Sequence, residues 1–115
     1  MEEFNTIEEK WKHLEGQWEE RFGKVPDMEA IIFLVGVNEY QGRTPKYKFS
    51  KEEKQDLMHV GTCVLMAQYG YFELEYYDKD GWPHFKKLQE LHHANLKQQE
   101  QLLRTAVIGY FDNKW

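Results

Sequence analysis

The sequence predicts an all-α protein, a compact bundle of four to five helices with either a small β-hairpin or an irregular corner over residues 71–83. Three observations carry this reading. Apolar residues recur at helical spacing in well-separated segments, helix-start signals precede two of them, and the connections between segments are short. At 115 residues the chain is expected to form a single domain over 1–115, large enough to bury roughly 65% of its unfolded surface around one core.

The first helix is predicted over Thr6–Phe22. Thr6 and Glu9 have the spacing of a capping box, and Ile7, Trp11, Leu14, Trp18 and Phe22 line one face. Gly23 is placed to end it. The second helix lies within "VPDMEAIIFLVGVNEY", where Pro26 suits a first turn and Asp27 and Glu29 sit where the helix dipole favours anions. Its middle is apolar on every face, which makes it a central, buried element. "QGRTPKYKF" then reads as a loop.

Ser50 and Glu53 form a second capping box and open a third helix over Lys51–Tyr69. Its first half is polar and its second half, from Val60, nearly all apolar, with Gly70 as the stop. In "YFELEYY", Phe72, Leu74 and Tyr76 alternate with Glu73 and Glu75, a strand period over a short stretch that also admits a short helix. After Pro83, "PHFKKLQELHH" reads as a short helix starting at proline. A last helix spans Asn95–Phe111, with Leu96, Leu103, Val107 and Tyr110 as its stripe.

Composition narrows the function. The net charge of −5 and the lack of a dense basic cluster argue against nucleic-acid binding. The longest apolar run, Ala30 to Val37, is far below the roughly 20 residues that span a bilayer. The acidic start has no secretory pattern, and the single cysteine, Cys63, leaves no internal disulfide; a soluble, cytoplasmic protein is expected. Aromatic residues reach 16% and crowd into 69–85. They read first as core, and the Tyr-rich rim as the best candidate for an interface.

"DKDGWPH" (78–84) resembles a calcium loop and fails as one. With Gly81 at the sixth position, Lys87 stands where the twelfth-position Glu belongs; with Asp78 first, Pro83 replaces the glycine. Asp78 and Asp80 read as turn formers, Gly81 as a residue of positive φ, and Trp82 as an anchor. Two carboxylate–histidine pairs have helical i, i+3 spacing, Asp56 with His59 and Glu90 with His93. With Glu39 they offer a metal-ligand set (Glu39, His59, Glu90, His93), against the plainer reading of hydrogen-bonding side chains. No cofactor is otherwise predicted, and a divalent metal is the one candidate. Asp56, His59 and Cys63 share one side of the third helix, but Cys63 sits in its most apolar part, where cysteine is an inert small hydrophobe. No phosphate loop or nucleophile elbow is present, so no catalytic motif is complete and the reading leans away from an enzyme.

The blocks "FLVGVNE", "KQDLMHV" and "DGWPHF" resemble a group of short uncharacterised bacterial proteins with no assigned activity, a resemblance that would span most of the chain and implies no catalytic or binding residue. At most it suggests comparing Glu39, His59, Trp82 and His84 in space, the four candidate ligand-binding residues of the alternative reading below. The expectation is a binding protein that self-associates or docks a protein partner through an aromatic surface. The alternative is a small-molecule or metal site between the second and third helices and the Trp82–His84 corner.

Overall fold

The computed structural model describes residues 6–42, 48–90 and 96–112. Among them are four helices, α1 (Ile7–Phe22), α2 (Met28–Glu39), α3 (Lys51–Ala67) and α4 (Leu96–Asp112), and two strands, β1 (Phe72–Tyr77) and β2 (Pro83–Lys87), placed between α3 and α4. The chain divides into two compact units, one holding α1 and α4 and the other α2, α3 and the strands.

In the first unit, Thr6 Oγ1 accepts from the Glu9 N–H at 3.1 Å and Gly23 closes α1 with its N–H on the Glu19 carbonyl. Trp11, Leu14 and Trp18 are buried, whereas Phe22 is 48% exposed, so the predicted stripe stops one turn early. The core here is aromatic. Trp18 meets Trp11 and Phe111 edge-to-face, at centroid distances of 5.7 and 5.5 Å, and Arg104 lies over the Trp11 ring. Such edge-to-face pairs add about 0.5–1.5 kcal/mol each beyond the area they bury.

The second unit is organised by the crossing of α2 and α3. A Cβ at Gly36 would overlap the Leu57 carbonyl oxygen, and one at Gly61 would overlap that of Ile32. The two helices therefore touch backbone to backbone, with a glycine on each side, which only a residue without a Cβ permits. Gly36 faces Leu57 and Ile32 faces Gly61, an order that reverses along α3, so the helices run antiparallel where they cross. Ile31, Val35, Leu57, Cys63 and Leu65 are fully buried around this contact. The α3 N-terminus carries the full capping box, with Glu53 N–H on Ser50 Oγ at 3.1 Å and Ser50 N–H on Glu53 Oε1 at 2.9 Å. α3 ends two residues short of the predicted Tyr69, in turns that bring the chain into β1.

The segment after Pro83 is a strand, not the short helix its proline suggested. β2 pairs antiparallel with β1 in the register Phe72↔Lys87, Glu73↔Lys86, Leu74↔Phe85, Tyr76↔His84 and Tyr77↔Pro83, with Glu75 as the extra residue of a bulge. Proline is compatible with the first residue of a strand as well as of a helix, and here the upstream partner strand β1, which ends at Tyr77, decides. The hairpin thus extends beyond the predicted corner at 71–83, and four helices remain where four to five were expected. At its open end the Leu88 N–H bonds the Tyr71 carbonyl and the Gln89 amide bonds that of Gly70. No described helix is long and apolar enough to cross a membrane.

The glycine crossing predicts a contrast. Gly36→Ala and Gly61→Ala each force the helices apart and should destabilise the protein by about 1–3 kcal/mol or more, as overpacked cores do. Gly16→Ala, on the exposed face of α1 with nothing within 4 Å of the added methyl, should stabilise it by about 0.5–1 kcal/mol. Urea denaturation midpoints of the three variants test this.

Candidate functional site

The hairpin turn is built by Asp78. The Gly81 N–H bonds the Asp78 carbonyl at 3.0 Å and the Asp78 N–H bonds the Trp82 carbonyl at 2.9 Å, which gives a three-residue loop whose last residue, Gly81, sits at φ 88°. The Asp78 carboxylate fills the loop from inside. Its Oδ1 accepts from the backbone N–H groups of Asp80 and Trp82, at 2.9 and 3.0 Å, and its Oδ2 accepts from His84 Nε2 at 2.9 Å. The His84 bond and then the Trp82 N–H hold the Asp78 carboxyl below the usual carboxylate range, outweighing its partial desolvation, with smaller help from the Asp80 N–H and the His84 charge.

Two further contacts fix this corner in place. Gly81 is tied through its carbonyl to the Gln41 N–H just past α2, at 2.8 Å, and comes so close to the Gln41 backbone that a Cβ there would overlap it. Trp82 packs on Tyr40 at 4.7 Å, and Tyr40 continues through Phe49 to Phe33 on α2. Trp82 is therefore the anchor its position suggested. The bulge at Glu75 brings Tyr76 opposite His84, and their rings stack in parallel, 4.6 Å apart and 5° from coplanar.

α3 supplies the opposing wall. Asp56, His59 and Val60 lie at helical spacing on one flank, and together with Asp78, Trp82, His84 and Phe85 they border a cleft of about 420 Å³. Behind this wall the Cys63 sulfur lies 3.6 Å from His59 Nε2. Burial pushes the Cys63 thiol up to about 11, so the thiol keeps its proton at neutral pH and no thiolate–imidazolium pair forms.

Three of the four candidate ligand-binding residues, His59, Trp82 and His84, thus converge on one cleft. Glu39 does not line it. Its charge instead adds to burial in raising the Tyr77 hydroxyl. Of the candidate metal set, Glu90 pairs with Lys87 at 2.8 Å past the end of the hairpin, and His93 lies outside the described residues. Among the described residues no three His, Cys, Asp or Glu side chains are grouped so as to hold a metal ion. The sequence reading missed two features of the cleft, the Asp78–His84 bond and the place of Phe85. Both depend on β2 being a strand, and the alternation of apolar Pro83 and Phe85 with polar His84 and Lys86 was the available sign, a short one. Comparison of the chain with protein-family models, with curated proteins and with solved structures gives no match.

Two measurements check this geometry. Because the folded Asp78 carboxyl lies below its unfolded value, its contribution is fully present above the ordinary carboxylate pKa of about 3.9 and is lost as the pH falls through the lower folded value. The Asp80 and Trp82 amide resonances, whose N–H groups bond the carboxylate, should accordingly show a transition below about pH 4 that is absent in Asp78→Asn. Cys63 should react with an aromatic disulfide reagent at pH 8 at least roughly a hundredfold more slowly in the folded protein than in urea.

Proposed function

We propose that this protein acts by binding rather than by catalysis, and that the cleft between α3 and the hairpin is where a small ligand is held. The observation that carries this reading is the convergence of side chains distant in sequence, Asp56 and His59 from α3 with Asp78, Trp82 and His84 from the turn and β2, around a space within the range that small-molecule sites occupy. Polar groups stand beside an indole and a phenyl ring, the mixture that orients a ligand while desolvating part of it. Among the described residues nothing in the cleft forms a nucleophile with its base: the thiol nearest an imidazole is buried and protonated, and the His84 Nε2–H is already engaged with Asp78.

A second reading is favoured by a separate observation. The hairpin and its flanks leave Leu74, Tyr76 and Leu88 43–55% exposed and Tyr69 at 36%. Exposed Tyr and Leu beside a two-stranded sheet suit the docking of a protein partner or of a second copy of the chain.

A fragment library titrated into ¹⁵N-labelled protein separates the two. The cleft reading expects hits to move the Trp82 indole and the His59 and His84 resonances together, and to lose that effect in His59→Ala. Hits that gather on Tyr76 and Leu88 instead, or none at all, would count against it. Light scattering from micromolar to millimolar protein addresses self-association; a monomer throughout removes that form of the second reading.

A further inference from the structure

Taking the cleft as the binding site, we infer that it selects a compact organic cation carrying a flat ring, with an amidinium, guanidinium or ammonium head. The first reason is the sign of its charges. Asp56 and Asp78 both border the cleft, and among the described residues no Lys or Arg does. The second is the state of its hydrogen-bonding groups. Among the described residues the Asp56 carboxylate, exposed on the polar half of α3, carries no hydrogen bond or ion pair. Asp78 accepts three bonds, fewer than the four or so that two carboxylate oxygens can take. The cleft therefore offers acceptors. Its best-placed donor, His84 Nε2–H, is spent on Asp78, so an anion would meet two carboxylates and gain little in return.

The third reason is the aromatic lining beside these acceptors. Trp82 and Phe85 present aromatic surface to the same space, with Val60 completing an apolar floor. A flat ring finds a stacking surface there, and a cationic head finds both carboxylate acceptors and the negative face of an indole, the strongest of the aromatic partners for a cation. Trp82 is not free to turn away, because Tyr40 packs against its ring and the Asp78 loop holds its backbone N–H.

The test uses three probes of one shape and different charge, benzamidine (cation), benzamide (neutral) and benzoate (anion), titrated into the full ¹⁵N-labelled chain. Benzamidine should saturate shifts of the Trp82 indole and the His59 and His84 signals at least about tenfold more tightly than benzamide, with benzoate ineffective, as expected when charge-assisted bonds add to a common stacking term. Asp56→Asn, an isosteric change at an exposed position, should weaken benzamidine about tenfold and leave benzamide unaltered. Glu52→Gln, on the same helix but outside the cleft, should change neither. If benzamide or benzoate matches benzamidine at these signals, the cleft binds ligands without preferring cations, and this inference falls while the binding reading stands. If benzamidine binds but Asp56→Asn does not weaken it, the charge argument is wrong. If all three leave these signals unmoved, the inference is overturned and the fragment titration alone judges the cleft.

Discussion

The backbone contact between α2 and α3 is the constraint on which the rest of the second unit depends. Two helices that meet through Gly36 and Gly61 lie closer than side chains of ordinary size would allow, and their relative position is set by hard carbonyl surfaces, not by deformable side chains. Each wall of the cleft is referred to one of these helices. Asp56 and His59 ride on α3 directly, a turn or less from Leu57, which makes the contact. The turn that carries Asp78 and Trp82 is tied to α2, through Gln41 and Tyr40 just beyond its C-terminus. Separation of the helices would therefore move one wall against the other, and the width of the cleft is a consequence of two missing Cβ atoms.

Around that frame the chemistry is divided unevenly between similar residues. His59 and His84 border the same space but have different partners, a buried thiol and a half-exposed carboxylate. Asp56 and Asp78 differ in the same way, one without a partner among the described residues and the other saturating a turn. The groups with the most proton-transfer character are thus committed to structure, while Asp56 sits on an exposed flank of α3 where it costs little to leave it solvated.

Much of this was legible beforehand, for identifiable reasons. The capping signals at Thr6 and Ser50 and the stripe through Trp11, Leu14 and Trp18 are local, and local structure followed them. Asp78, Gly81 and Trp82 were readable as turn former, positive-φ residue and anchor because each property belongs to the residue itself. The strand over Pro83–Lys87 was not, since proline starts helices and strands alike and the deciding factor is the neighbouring strand. That one misreading hid the Asp78–His84 bond, because on a helix His84 would point elsewhere. Glu39, in contrast, does not line the cleft, because position along a helix says which face a residue takes and not which element covers that face.

The hairpin bears on how the cleft would bind. A two-stranded sheet is marginal in isolation, yet this one is held at both ends, by Leu88 and Gln89 at its base and by Gln41 and Tyr40 at its turn. Between those ties the Asp78 carboxylate locks the turn and His84 is clamped on two sides, by that carboxylate and by the Tyr76 ring. Trp82 and His84 therefore hold their positions through contacts within the protein, before any ligand arrives. Immobilising rotamer-rich side chains on binding costs on the order of 0.5–1.5 kcal/mol each, and here that ordering has been done by the fold. Of the polar groups in the cleft, Asp56 keeps the most freedom. It is then the residue expected to adapt to the ligand, against a wall that is already rigid.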